Sequence, residues 1–218
     1  MGIAFGGECM NWMDMTLREY QAALASSSPT PGGGTAAAVA LGQAASLAIM
    51  VSDLTLGKER WKEGWEVAEA VQSVAIPLLH ESGVLANQDS DAFDLVMESF
   101  ALPKTTEDEK LVRRNAIRQA TLHAAEIPYK TAESAMRLMR VLEPLARLGN
   151  ANAVTDVGVS GLLASAAGKG AIFNVEINLD SLPEDQGLDM RQNLSNLKEE
   201  MRTVSRTIMD AVRERMEE

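Results

Sequence analysis

The sequence predicts an all-α fold, a single-domain bundle of long, partly kinked helices around a small-residue central helix. Three observations predict it. Aromatics make up 4% of the 218 residues while 46% are hydrophobic, so the core must be built from Ala, Leu, Val and Met. Such a core suits closely packed helices, whereas strands draw on Val, Ile and aromatic runs. Thr16–Glu19 and Thr106–Glu109 have the capping-box form, in which a Thr and a Glu three residues on satisfy orphan N–H groups reciprocally. Between them, Ala36 to Gly57 mixes Ala, Gly and Ser with Val39, Leu41, Leu47, Ile49 and Val51 and carries a single charge, Asp53. A helix apolar all round is a buried central helix. Its roughly twenty residues would also span a bilayer. Ala, Gly, Ser, Thr and Gln43 dilute it below the Leu/Ile/Val/Phe content that insertion favours.

Taken in order, residues 1–13 are expected to be a flexible leader, and the domain to run over 14–218. The leader has no basic n-region and no long apolar stretch, so no signal peptide is read and a cytoplasmic location is expected. A first helix runs from Thr16 to about Ser26. Ser28-Pro29-Thr30-Pro31-Gly32-Gly33-Gly34 forms a rigid, then permissive, turn into the central helix. The first turn of that helix points unpaired N–H groups and a positive dipole end at whatever sits there. Lys58 to Trp61 is a charged break. A helical pattern resumes near Glu63, with a kink or interruption at Pro77. The polar patch Asn87 to Phe93 either caps a new turn or continues the helix, with Asp89 and Asp91 on different faces.

Leu102-Pro103-Lys104-Thr105 breaks the chain again. The helix after Thr106 runs to Leu148 past Pro128 and Pro144, and Gly149-Asn150 suggests a left-handed C-cap. Val157 to Lys169 is another small-residue helix. Ala171 to Leu179 alternates apolar and polar residues as a strand does, yet no second such run offers a partner, so helix is favoured. In the last helix Leu194, Leu197, Met201, Val204, Ile208 and Ala211 alternate spacings of three and four. That seam suits packing on its own bundle or against a second copy.

Several function classes are excluded early. The net charge of −11 argues against nucleic acid and anionic membrane as partners. The single Cys9 rules out an internal disulfide framework and a Cys-based zinc site. His123 and Glu126 could share a metal on one helix, but one pair is not a site, and no metal is expected. The glycine turn lacks the Lys-Ser/Thr of a phosphate loop, and no Gly-x-Ser-x-Gly elbow occurs.

Five stretches in one order carry a resemblance. They are Pro31-Gly32-Gly33-Gly34-Thr35-Ala36-Ala37-Ala38, Leu54-Thr55-Leu56-Gly57-Lys58, Asp89-Ser90-Asp91-Ala92-Phe93, Leu102-Pro103-Lys104 and Asn174-Val175-Glu176-Ile177-Asn178-Leu179. Together they resemble the cyclodeaminase/cyclohydrolase family, which includes the C-terminal domain of formiminotransferase-cyclodeaminase and stand-alone methenyltetrahydrofolate cyclohydrolases. The resemblance implies an all-helical homodimer, a helical conformation for 172–179, and a tetrahydrofolate derivative as substrate near the glycine loop and the acidic motif. No formiminotransferase domain is present in this sequence, which favours the cyclohydrolase over formiminotetrahydrofolate cyclodeaminase. A non-catalytic folate-binding or structural helical dimer is the remaining alternative.

Both family reactions suit a carboxylate. Ionised, it stabilises the methenyl cation and accepts a proton from water; with a raised pKa it also serves as an acid. Asp89 is the first candidate, from its match to the family's acidic position, and Asp91 the second; capping the helix that contains Phe93 is the competing use of either. For the substrate, Gly32, Gly33 and Gly34 offer backbone N–H groups, or alternatively serve close helix packing. Lys58 and Lys104 match family lysines and suit the glutamyl carboxylates, against the competing use as solvated surface residues. Asp156 matches an acidic family position and either holds the pterin amino group or N-caps the helix near Val157. Asn174 and Asn178 lie four apart on one helical face, facing the site or the dimer contact.

Overall fold

The computed structural model describes residues 11–218. Cys9 and most of the expected leader lie outside them. The described chain is helical with no strand. Six α-helices form it: α1 Leu17–Leu24, α2 Gly33–Thr55, α3 Trp65–Ala101, α4 Glu107–Leu148, α5 Val154–Asp180 and α6 Leu188–Glu217. Short 3₁₀ turns at Trp12–Asp14, Glu59–Gly64 and Ala151–Ala153 join or precede them.

Both capping boxes form. Thr16 Oγ1 accepts the Glu19 N–H at 3.3 Å while Glu19 Oε2 accepts the Thr16 N–H at 2.9 Å. Thr106 and Glu109 repeat the arrangement at 3.2 and 2.9 Å. α1 ends at Leu24, short of the expected Ser26, in a turn of one alanine, three serines and a proline. The Thr30–Pro31 peptide is cis.

α2, α3, α4 and α5 pack as a closed square in which each helix touches its two sequence or ring neighbours, and α6 lies across α4 and α5. α2 is therefore held between α3 and α5, and its small residues bring those helices close. Ala38, Leu41, Ala44, Ala45, Ala48 and Val51 are fully or almost fully buried. Its length and composition satisfy the requirements of a membrane span, and 56% of its most apolar window is buried inside the bundle. α3 runs unbroken through Pro77, and α4 through Pro128 and Pro144. The Asn87–Phe93 patch lies inside α3, so neither acid there caps a helix.

Residues 154–180 form one helix, including the stretch that alternates like a strand. Ala171, Ile172, Val175 and Leu179 are the buried set, at helical spacing, and Phe173 and Ile177 are apolar but 71% and 68% exposed. The α6 seam faces its own bundle: Leu194, Leu197, Met201, Ile208 and Ala211 join the main core, with Val204 packed at its edge.

Two further expectations are corrected. Gly149 ends α4 in extended backbone (φ −72°, ψ −172°), with no left-handed residue there. Its N–H closes on the Leu145 carbonyl at 2.9 Å, and the Asn150 N–H and side-chain amide then reach Thr55 Oγ1 and the Leu54 carbonyl, each at 3.0 Å. Residues 11–13, counted in the leader, dock on α3. The Trp12 N–H donates to Asn87 Oδ1 at 2.9 Å, the Asn87 amide donates to Asn11 Oδ1 at 2.9 Å, and Met13 rests against Gly83.

Candidate functional site

The ring has two ends. At one, the C-termini of α2 and α4 meet the N-termini of α3 and α5. At the other, the N-terminus of α2 meets the middle of α3 and the C-terminal part of α5. A cavity of about 340 Å³ opens at this second end, walled by Gly32–Gly34, Asp89, Phe93, Ala124, Asn174 and Asn178 among others. Among the described residues, Asp89 is its one ionisable lining residue.

The Asp89 carboxyl lies directly over the first turn of α2. A Cβ on Gly34 would sit 2.1 Å from Asp89 Oδ1, so glycine is required by the carboxyl's approach. Thr35, fully buried, donates its hydroxyl to Asp89 Oδ2 at 3.0 Å. Burial pushes the Asp89 pKa above its ordinary value, and the Thr35 hydroxyl and backbone N–H pull it partway back. The Thr35 hydroxyl also meets Ser90 Oγ at 3.0 Å, and Ser90 accepts the Trp12 indole N–H at 2.9 Å. Tyr20 of α1 is buried nearby; burial, then the charge of Asp89, raises its pKa. Its hydroxyl is buried without a hydrogen-bond partner among the described residues.

Asn178 donates to the Ala124 carbonyl at 2.8 Å and Asn174 to the Gly170 carbonyl at 3.0 Å, so both asparagines are fixed as cavity walls. A larger concavity of about 750 Å³ lies on the α3–α4 face, where both arginines are paired: Arg137 with Glu81 at 2.6 Å and Arg140 with Glu200 at 2.7 Å. It is a salt-bridged surface groove. Among the described residues, no three His, Cys, Asp or Glu side chains converge on a metal position.

The chain matches the formiminotransferase-cyclodeaminase family model over residues 16–196. It belongs to the formiminotransferase-cyclodeaminase family. Methenyltetrahydrofolate cyclohydrolase of Methylorubrum extorquens is 32% identical over 92% of this chain and 97% of its own length. Formimidoyltransferase-cyclodeaminase of Rattus norvegicus is 29% identical over 94% of the chain, which spans 38% of that longer protein. The structure of formiminotetrahydrofolate cyclodeaminase from Thermotoga maritima superposes with a TM-score of 0.77 at 26% identity, covering 94% of this chain and 97% of that one. The family match covers α1 to α5 and the first third of α6.

Against this frame the motif residues divide. Gly32, Gly33, Gly34 and Asp89 meet in one cavity. Asp91 is exposed on another face of α3, where it and Glu98, after burial, raise the Asp94 pKa. Lys58 follows the C-terminus of α2, and Asp156 lies in the first turn of α5, so both sit at the opposite end of the ring. A helix of this length separates them from Gly34 by about 33 Å. Their expected grouping with Asp89 is not met within one chain, because a shared motif order says nothing of which helix end a residue occupies. Lys104 is exposed in the α3–α4 connection, some 18 Å of helix beyond Asp89. Thr35 and Ser90 stand inside the motif stretches, but neither is ionisable, so neither carries a chemical signal in the sequence. Trp12 and Tyr20 carried no local signal at all.

Proposed function

We propose that this chain hydrolyses 5,10-methenyltetrahydrofolate to 10-formyltetrahydrofolate, with Asp89 as the catalytic residue. The observation that carries the proposal is the Asp89 carboxyl, part-buried in a cavity against the first turn of α2 and oriented by Thr35. The methenyl substrate carries a cation delocalised over N5, the bridging carbon and N10. An ionised carboxyl beside it stabilises that charge and accepts a proton from the water that attacks the bridging carbon. The same carboxyl, now protonated, returns the proton to N5 as the C–N5 bond breaks, and the adduct's hydroxyl gives up its own proton to solvent, leaving the formyl group on N10. A pKa raised by burial suits a group that must both accept and give back. Similarity to a named cyclohydrolase over nearly the full length of both chains supports the substrate.

The N–H groups of Gly32 to Gly34 serve the substrate's polar edge, and Lys104, at the cavity's end of the ring, serves its glutamyl carboxylates. Asp91, Lys58 and Asp156 have no role in this cavity within one chain. The proposal includes a homodimer in the cytoplasm. Phe100, Val112, Phe173 and Ile177, all more than half exposed at this end, are the apolar surface such a dimer would cover.

Formiminotetrahydrofolate cyclodeaminase is the second reading, favoured by the superposition on a protein of that name. There Asp89 would protonate the departing amine. The test is the absorbance decay of methenyltetrahydrofolate with purified protein and with Asp89→Asn. Rapid decay that the variant abolishes supports the cyclohydrolase. No acceleration, with ammonia released from formiminotetrahydrofolate, supports the deaminase. Neither activity would leave a folate-binding or structural dimer.

A further inference from the structure

We propose that Trp12 is a positioning residue for Asp89, acting through Ser90 and Thr35 to hold the carboxyl in its ionised, proton-accepting form. This rests on the assignment of Asp89 as the group that takes the proton.

The chain of contacts is continuous. The Trp12 indole N–H donates to Ser90 Oγ at 2.9 Å, Ser90 Oγ lies 3.0 Å from Thr35 Oγ1, and Thr35 Oγ1 donates to Asp89 Oδ2 at 3.0 Å. Its direction follows from chemistry. An indole N–H only donates and an ionised carboxylate only accepts, while each hydroxyl between them has one proton to give. Thr35 therefore gives its proton to Asp89, and Ser90 gives its own to Thr35. Trp12 supplies the donor that starts the sequence and cannot take a proton back. A protonated Asp89 donating into Thr35 would reverse both hydroxyls, so that Ser90 accepts from Thr35 and from the indole at once and its own proton loses its partner in the chain. Both are sheltered, Thr35 at 0% and Ser90 at 5% exposure, where such chains polarise one another most.

The turn that carries Trp12 is built to hold it. Asn11 caps the turn by accepting the Met13 N–H at 3.1 Å, and Asn87 ties it to α3 through the Trp12 N–H and Asn11 Oδ1. Asn87, Ser90 and Gly83 share one face of α3, so the turn lies along the helix that carries the carboxyl. The other groups facing Asp89 do not compete. From α1, Tyr20 is titratable at far higher pH; α2 presents Thr35 and backbone; α4 and α5 line the cavity with Ala124, Asn174, Ile177 and Asn178.

The experiment is the pH–rate profile of the full chain as wild type, Trp12→Phe, Ser90→Ala, Met13→Ala and Asp89→Asn. Carboxyl ¹³C titration of aspartate-labelled protein accompanies it, with the Asp89 signal identified by its loss in Asp89→Asn. Trp12→Phe and Ser90→Ala are expected to move the acid limb and the Asp89 titration to higher pH by about half a unit or more. Their double variant should move it no further than either alone. Met13→Ala loosens the same turn but leaves the sequence of hydroxyls intact, so its limb should stay at the wild-type position. An unmoved Asp89 titration in Trp12→Phe overturns the proposal, as does an equal displacement in Met13→Ala. If Trp12→Phe does not fold, Ser90→Ala decides. The carboxyl titration needs no turnover, so it judges the role of Trp12 even if the hydrolysis assignment fails. That assignment fails separately if Asp89→Asn retains full activity.

Discussion

The two ends of the helical ring are built on opposite principles. At the end where α2 and α4 finish, polar groups are paired across helices. Thr55 accepts the Asn150 N–H on its hydroxyl at 3.0 Å and the Trp65 indole N–H on its carbonyl at 3.1 Å, and Asn150 reaches the Leu54 carbonyl at 3.0 Å. At the end where α2 begins, a carboxyl is part-buried with no ion pair among the described residues, glycines replace side chains, and large apolar groups face solvent. The first end is satisfied polar structure, which stabilises. The second keeps a partly desolvated charge, a feature retained at sites of chemistry. One helix, α2, joins the two ends.

The contrast is broken most severely by Asp89→Asn. Hydrolysis should fall by about 1000-fold, the scale of a lost acid–base group. Melting temperature should hold or rise, because Asn still accepts the Thr35 hydroxyl and a buried charge is gone. A substantial fall in melting temperature would show the carboxyl to be structural. Next come paired glycine substitutions. Gly34→Ala places a Cβ 2.1 Å from Asp89 Oδ1 and should cost about 100-fold in kcat, the effect of misplacing a reacting group by an ångström. Gly149→Ala places one 2.5 Å from the Leu145 carbonyl and 3.3 Å from Thr55 Oγ1. It should lower stability by about 1–3 kcal/mol, with kcat per folded molecule unchanged. Parallel kinetics and thermal melts separate the two.

Thr55→Val should cost about 1–3 kcal/mol through the Asn150 N–H it strands, again without loss of kcat; chemical denaturation measures it. The smallest effect is a pH dependence. Asp89 has a folded pKa above its ordinary 3.8, so between those two values the native state binds more protons than the unfolded one. Its contribution to stability is full below pH 3.8 and is lost as pH rises through the folded pKa. Relative to Asp89→Asn, wild type should therefore gain stability as pH falls through that window. Melts of both proteins across the acid range should show the difference shrinking, and a growing difference would reverse the sign of the shift.

Much of this architecture was legible one residue at a time. The capping boxes at Thr16 and Thr106, the apolar run of α2 and the seam of α6 are local patterns, and each forms where its pattern stands. Residues 171–179 form the expected helix although they alternate like a strand: Phe173 and Ile177 are apolar and exposed, so hydrophobicity there follows two surfaces rather than one buried stripe. In the site, the glycine turn and Asp89 could be joined by the family resemblance, which carries order along the chain. That order does not say which ends of the helices meet, so it cannot tell that Lys58 and Asp156 stand about 33 Å from this cavity within one chain. Trp12 was illegible for a different reason. A short segment rich in Gly and Met resembles a tail, and its indole gains meaning only from a serine 78 positions later.

The apolar girth of α2 has a consequence in time as well as in space. Its two flanking neighbours are α3 and α5, and the second of these is finished only at Asp180, about 125 residues after α2 itself. At ordinary rates of synthesis of about 5–20 residues per second, α2 waits roughly 6–25 s on the ribosome with one flank uncovered. During that interval a segment with the length and hydropathy of a membrane span is offered to whatever binds nascent chains. Synonymous codons that slow synthesis between α3 and α5 should therefore lower the yield of folded protein more than the same codons placed in α6.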